Sequence, residues 1–216
     1  MSWLRNCWYV AAWAHEVADR PLGRVILGEL AQRLAPMAGG AVPEGFNASL
    51  EATSYATSKG QPHANGTNVA EVEVDIGTGE VRVTRYSVAH DCGRMINPMI
   101  VDGQIAGGVV HGIGNALFEE MVYDETGQPL TTNYGEYLLP LASEMPRIDI
   151  VHQETPSPLN PLGIKGVGEG GTIPATAAVV AAIENALQPF GVVIERYPVT
   201  PERLCALIDR ASAAAA

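Results

Sequence analysis

A proline-broken, glycine-dense loop that runs straight into an apolar segment dominates this chain: Asn160 to Ala186, NPLGIKGVGEGGTIPATAAVVAAIENA. The loop carries one lysine, Lys165, and one acid, Glu169. The Ala/Val-rich run from Ala175 to Leu187 predicts a mostly buried helix, with Thr172 as its N-cap and Pro174 in the first turn, where a missing N–H has no helical partner to lose. Glycines let backbone approach a ligand closely, and a helix start points unpaired N–H groups at it. Glu169 is therefore held at a fixed place in a polarising field, as a binding or catalytic carboxylate should be.

Upstream, Val72, Val74 and Ile76 alternate with Glu71, Glu73 and Asp75, and Val81 and Val83 alternate with Arg82 and, one step out of phase, Arg85. Period-two patterning on both sides of Gly77-Thr78-Gly79 predicts a β-hairpin with a Gly-bulged turn, its acids facing its arginines. His90, Asp91 and Cys92 read as a buried polar strand end. Val101, Ile105, Val109, Ile113 and Leu117 recur every four residues and predict a helix over Val101 to Glu120, with Gln104 in its first turn. Gly103, Gly107, Gly108, Gly112 and Gly114 lie inside that helix, each costing about 1 kcal/mol relative to alanine. Close approach to another helix or to a bulky cofactor is the simplest reason for them. Residues 123–154 read as turn, short strand, loop and a strand over Arg147 to His152; a last strand is expected over Val192 to Ile194. Thr200, Pro201 and Glu202 then open a final helix, with a frayed Ala tail over 211–216.

The result is an α+β fold: a hairpin-containing mixed sheet packed with a Gly-rich and an Ala/Val-rich helix. A domain over 50–210 follows an Ala/Gly/Pro-rich linker, 31–49. The net charge of −11 argues against nucleic acid and anionic membrane surfaces. No run is apolar and long enough to suggest membrane insertion. The three cysteines, Cys7, Cys92 and Cys205, are far apart and odd in number, which points to a reducing, cytoplasmic setting. Neither they nor the scattered histidines have metal-ligand spacing, so no protein-held metal is expected. A GxGxxG match at Gly166, Gly168 and Gly171 follows NPLGIK rather than a strand, and a dinucleotide-binding fold is rejected on that ground.

Three phrases carry a family resemblance: NVAEVEVDIGTGEVRVTRY, DCGRMINPMIVDGQIAGGVVHGIGNALFEE and NPLGIKGVGEGGTIPA. In order and spacing they resemble the C-terminal part of the molybdenum hydroxylase large subunit, the family of xanthine dehydrogenase, aldehyde oxidase and aerobic carbon monoxide dehydrogenase, closest to the last type. The resemblance implies a molybdopterin cofactor, of the cytosine dinucleotide form, with molybdenum. It places Glu169 on the family's active-site base, which acts on a molybdenum-bound hydroxide attacking a substrate carbon. Gln104 falls on a cofactor-contacting glutamine, and the backbone of Lys165, Gly166, Val167 and Gly168 on the loop beside the pterin. His111 stands where many members carry glutamine. The implied partners are the remaining part of the large subunit, an FAD-binding subunit and a 2Fe–2S subunit, together with a small-molecule substrate.

The opening, WLRNCWYVAAWAHEVADRPLGRVILGE, resembles instead the entry segment of Rieske-type ring-hydroxylating oxygenases over residues 1–30, with a short strand expected over Arg24 to Leu27. The Cys-x-His and Cys-x-x-His pairs such a cluster needs are not in the sequence. An aromatic arm packing on a neighbour is the plainer reading. Since the earlier portion of the hydroxylase subunit is not represented, two functions stand: one part of a molybdopterin-dependent hydroxylase completed by partner chains, or a truncated or fused orphan domain with neither cofactor nor independent activity.

Overall fold

The computed structural model describes residues 60–215, with residues 32, 53–55 and 57. The chain divides into two units, Met1–Thr57 and Ser58–Ala216, and every element named below belongs to the second. The oxygenase-like segment 1–30, its strand over Arg24 to Leu27 and, residue 32 apart, the linker 31–49 lie outside the described residues.

Strands β1 (Asn65–Val74) and β2 (Val81–Asp91) form the expected antiparallel hairpin. In its turn, Gly79 adopts φ +73° and donates its N–H to the Asp75 carbonyl at 2.8 Å, a left-handed conformation that glycine takes without strain. The register pairs Glu71 with Arg85 and Glu73 with Arg82, and shifts between Glu71 and Val72. That bulge accommodates one extra residue on β2 and accounts for Arg85 being out of phase with Arg82. The third strand, β3 (Arg147–His152), lies parallel to β2, giving the order β1-β2-β3. Across the exposed face Arg85 bonds Asp149 at 3.0 Å, Arg147 bonds the same carboxylate at 2.9 Å, and Glu71 stands 3.9 Å from Arg85.

Three helices complete the unit: α1 (Pro98–Leu117), α2 (Thr172–Ala186) and α3 (Pro201–Ala215). The Gly-rich helix starts three residues earlier than its apolar period suggests. Asn97 caps it by accepting from the Ile100 N–H, and Pro98 occupies the first turn. Gln104 therefore sits in its second turn. Val101, Ile105, Val109, Ile113 and Leu117 are all buried, against Val83, Tyr86 and Val88 of β2 and Ala175, Val179 and Ile183 of α2.

Several expectations are corrected. Thr172 is the first residue of α2 rather than its cap; Gly171 holds that position with no side-chain bond. The α2 helix buries one stripe, Ala175, Val179 and Ile183, rather than most of its surface. No strand forms over Val192 to Ile194: the Ile194 N–H goes to the Glu184 carboxylate at 2.7 Å, so the segment straps α2 instead of extending the sheet. The short strand expected in 123–154 is reduced to a single bridge between Tyr123 and Pro129. The final helix, with Thr200 accepting from Arg203 N–H, continues to Ala215 through alanines expected to fray.

Candidate functional site

The loop from Asn160 to Gly171 is built onto the outgoing ends of β2 and β3. Asn160 closes its first turn, accepting from the Ile164 N–H at 3.0 Å and donating to the Ile164 carbonyl at 2.8 Å. Ile164 then bridges to Gly93, and the Lys165 N–H bonds the Cys92 carbonyl at 2.8 Å. Gly93 and Gly163 both have positive φ, +67° and +71°, and a Cβ on Gly93 would collide with the Gly163 carbonyl. Glycine at both positions is what lets the two backbones meet.

Lys165 turns its side chain inward. Its ammonium donates to Asp91 at 3.0 Å and to the Thr155 hydroxyl at 2.6 Å, and the paired side chains are only 9% and 10% exposed. Asp91 also accepts from the N–H groups of Gly93 and Thr155 and from the Thr155 hydroxyl. Burial pushes the Asp91 carboxyl up, but these donors and the lysine outweigh it and hold the group well below the usual carboxylate range. With its N–H taken by Cys92, the Lys165 carbonyl is the polar group left without a partner among the described residues.

Beyond Lys165 the loop opens outward. Gly166, Gly168 and Glu169 are exposed, and a Cβ on either glycine would meet nothing within 4 Å. Among the described residues, the N–H groups of Gly166, Val167, Gly168 and Glu169 have no acceptor, which leaves four consecutive donors in this loop. Gln104 reaches across from α1 and donates from Nε2 to the Gly168 carbonyl at 2.6 Å. The structure thus brings together Gln104, Gly166, Val167, Gly168 and Glu169, with the side chain of Lys165 on the other side of the loop. The Glu169 carbonyl accepts from Thr172 and Ile173, both at 3.1 Å, which ties the acid to the first turn of α2. His111, on the same helix as Gln104, is exposed.

Four of the five glycines of α1 fall into two groups. A Cβ on Gly108 would lie 2.8 Å from the Thr172 nitrogen, and one on Gly112 would collide with the Ala175 side chain; these two let α2 dock, aided by a 3.0 Å bond from the Thr176 hydroxyl to the Gly112 carbonyl. A Cβ on Gly103 or Gly107 would meet nothing within 4 Å among the described residues; the two flank Gln104 on the open side.

Sequence reasoning missed the partners of Lys165. It also missed a histidine pair beneath the loop. His90 is 3% exposed, and its ring stands edge-to-face with that of His152 at 6.4 Å. His152 is bonded through Nε2 to Asp102 of α1 at 2.6 Å. The sequence signal was the run His90, Asp91, Cys92 at the end of an alternating strand.

The family described as "Molybdopterin cofactor-binding domain" matches residues 13–146. The nicotine 6-hydroxylase large subunit of Paenarthrobacter nicotinovorans is 44% identical over 75% of this chain and 20% of its own length. Quinoline 2-oxidoreductase from Pseudomonas putida 86 superposes with a TM-score of 0.70 at 50% identity, over 78% of this chain and 21% of that one. Carbon monoxide dehydrogenase from Oligotropha carboxidovorans superposes with a TM-score of 0.74 at 29% identity, over 86% and 23%. Identity to the quinoline and nicotine enzymes thus exceeds that to the carbon monoxide dehydrogenase, although the fold overlays the latter as well. The chain spans about a fifth of the length of the relatives it matches. It belongs to the molybdopterin cofactor-binding domain family of molybdenum hydroxylase large subunits and represents part of one such domain.

Proposed function

We propose that this chain supplies the base-bearing part of a molybdopterin-dependent hydroxylase and works in complex with the remaining part of the large subunit, an FAD-binding subunit and a 2Fe–2S subunit. The observation that carries this reading is the run of four unpaired N–H groups from Gly166 to Glu169 beside the Gln104 amide. A pterin and its phosphates are rich in acceptors, and an open, donor-lined backbone with no Cβ at 166 or 168 fits them. The cytosine dinucleotide form is the one proposed. When bound, the cofactor supplies a two-electron oxidation at a substrate carbon with oxygen drawn from water.

Within that frame each residue has a defined task. Gln104 fixes the loop through Gly168, and its amide oxygen remains available to a donor on the cofactor. The backbone of Lys165 to Gly168 lies along the pterin. Glu169, with no hydrogen bond or ion pair to its carboxylate among the described residues, takes the proton from the attacking oxygen, and its carbonyl bonds to α2 keep it in place. The scattered cysteines support the cytoplasm as the setting. The relatives act on nicotine, quinoline and carbon monoxide by name, and the higher identity to the first two favours an aromatic nitrogen heterocycle as the small-molecule substrate.

The test is the molybdenum and pterin content of the chain isolated alone and isolated from its host with whatever co-purifies. Metal and pterin present only with a larger partner support the proposal. Their absence from both preparations favours the alternative, an orphan domain with this fold and no activity.

A further inference from the structure

Gly170 is a glycine for a reason that its own backbone does not supply. Its φ is not positive, so it does not occupy the left-handed region that favours glycine. A Cβ there would instead run into His90 Nε2, with His90 Cδ2 at 2.9 Å and Ile105 Cδ1 at 3.2 Å. The next residue, Gly171, is pressed against α1: a Cβ on it would strike the Ile105 carbonyl and lie 3.0 Å from the Val109 nitrogen. Gln104 holds the residue on the other side of Glu169. Glu169 is thus the outward-facing member of a turn pinned on both flanks, by the α1 helix and by the His90 ring.

The ring is itself braced. Among the described residues neither of its nitrogens has a hydrogen-bond partner. The edge of His152 lies against it, and Asp102 anchors His152 to α1. A polar ring buried without partners is disfavoured unless its shape is needed.

We propose that His90 is a positioning residue for Glu169: its imidazole, backed by His152 and Asp102, is the shelf on which Gly170 rests and which sets the height of the loop over α1. This rests on Glu169 being the base, but the shelf is tested without turnover. The readout is amide exchange of Gly170, Thr172 and Ile173, whose N–H groups bond across this turn, in the full chain. Gly170→Ala adds a methyl where the ring lies, and His90→Ala removes the ring; each is expected to speed exchange at these three amides on the order of tenfold, with the β1–β2 amides unchanged.

The double variant His90→Ala with Gly170→Ala places the new methyl in the space the ring leaves, and its exchange is expected to return toward wild type. Rescue of this kind is not produced by two independent packing defects, which would add. Wild-type exchange in both single variants, or additive acceleration in the double, overturns the proposal. If Gly170→Ala alone does not fold, folding of the double variant supports the shelf and its failure to fold overturns it. In the assembled enzyme, rescue of loop exchange without any turnover in the wild type would leave the shelf standing and remove the hydroxylase reading.

Discussion

Replacing Lys165 with methionine keeps the stem of the side chain and deletes its charge, leaving Asp91 inside the protein without its ammonium partner. Breaking a buried ion pair from one side costs roughly 3–5 kcal/mol, because the remaining charge is uncompensated. Here the carboxylate would keep the Gly93 and Thr155 N–H groups, at 2.8 and 3.1 Å, and the Thr155 hydroxyl. Those bonds place the expected loss at the lower end, about 3 kcal/mol, or roughly 6–12 °C in Tm for a chain of this size. The pH profile should change with it. The folded carboxyl of Asp91 lies below its ordinary 3.8, so the stability it contributes is present above that pH and lost as pH falls through it toward the folded value. Without the lysine the folded value rises and the acid loss becomes shallower. Urea unfolding of the full chain followed by far-ultraviolet circular dichroism, at neutral pH and through the acid range, measures both. Adding Asp91→Asn to Lys165→Met should recover part of the loss, since the asparagine oxygen still accepts from the two N–H groups. A loss under about 1 kcal/mol with an unchanged acid profile would mean the pair behaves as an exposed one, and would refute the reasoning.

Three further outcomes are expected. Glu169→Gln should leave the Tm and the cofactor content unchanged while lowering kcat of the assembled enzyme by about 10²–10⁴-fold; a wild-type rate would remove Glu169 from the mechanism. Gly108→Val should lower stability by about 1–3 kcal/mol or more through its clash with Gly171 and Thr172, whereas Gly103→Ala, into open space, should raise it by up to about 1 kcal/mol; calorimetry of the two variants separates the docking glycines from the open ones. His90 should make the fold weaken on mild acidification. Burial lowers its pKa from 6.5, His152 adds to this and Asp91 opposes it, with Lys165 beyond Asp91 and Asp102 beyond His152. Because the folded value is depressed, stability is full above about 6.5 and is lost as pH falls from there toward the folded value. His90→Gln should flatten the stability profile between about pH 7 and 5, and an unchanged slope would assign the effect to another group.

Features with a short range in sequence were legible before the structure. Alternation gave β1, β2 and β3; Arg85 was seen to fall out of phase, but the bulge within the strands was not read from it. The period of four placed the buried face of α1 residue by residue, and the GVGEGG phrase located the loop that holds Glu169. Legibility failed where a partner lies far along the chain. Nothing near Lys165 reveals that its ammonium goes to Asp91, 74 residues earlier, so a loop lysine looked free when it is buried. Val192 to Ile194 has strand composition, but its backbone donor is taken by the Glu184 carboxylate and no sheet edge among the described residues reaches it. Thr172 failed as a cap because the Glu169 carbonyl already accepts from the first N–H groups of α2, leaving its hydroxyl no capping role. The glycines of α1 were recognised as needing a reason; that Gly108 and Gly112 serve α2 while Gly103 and Gly107 face outward depends on helix packing that a period does not encode.

The parallel pairing of β2 with β3 also sets an order of events. The hairpin closes locally, but β3 can join only after α1 has crossed over to bring Arg147–His152 alongside. The knot of Asp91, Thr155 and Lys165 then ties residues 64 and 74 positions apart, and Gln104 reaches Gly168 across 64. Contacts of that span carry the largest loop-closure penalty and form late. Lys165→Met is therefore expected to hasten unfolding while leaving the refolding rate near wild type. The carboxylate loop is expected to be the last part of this unit to be put in place and the first to come away.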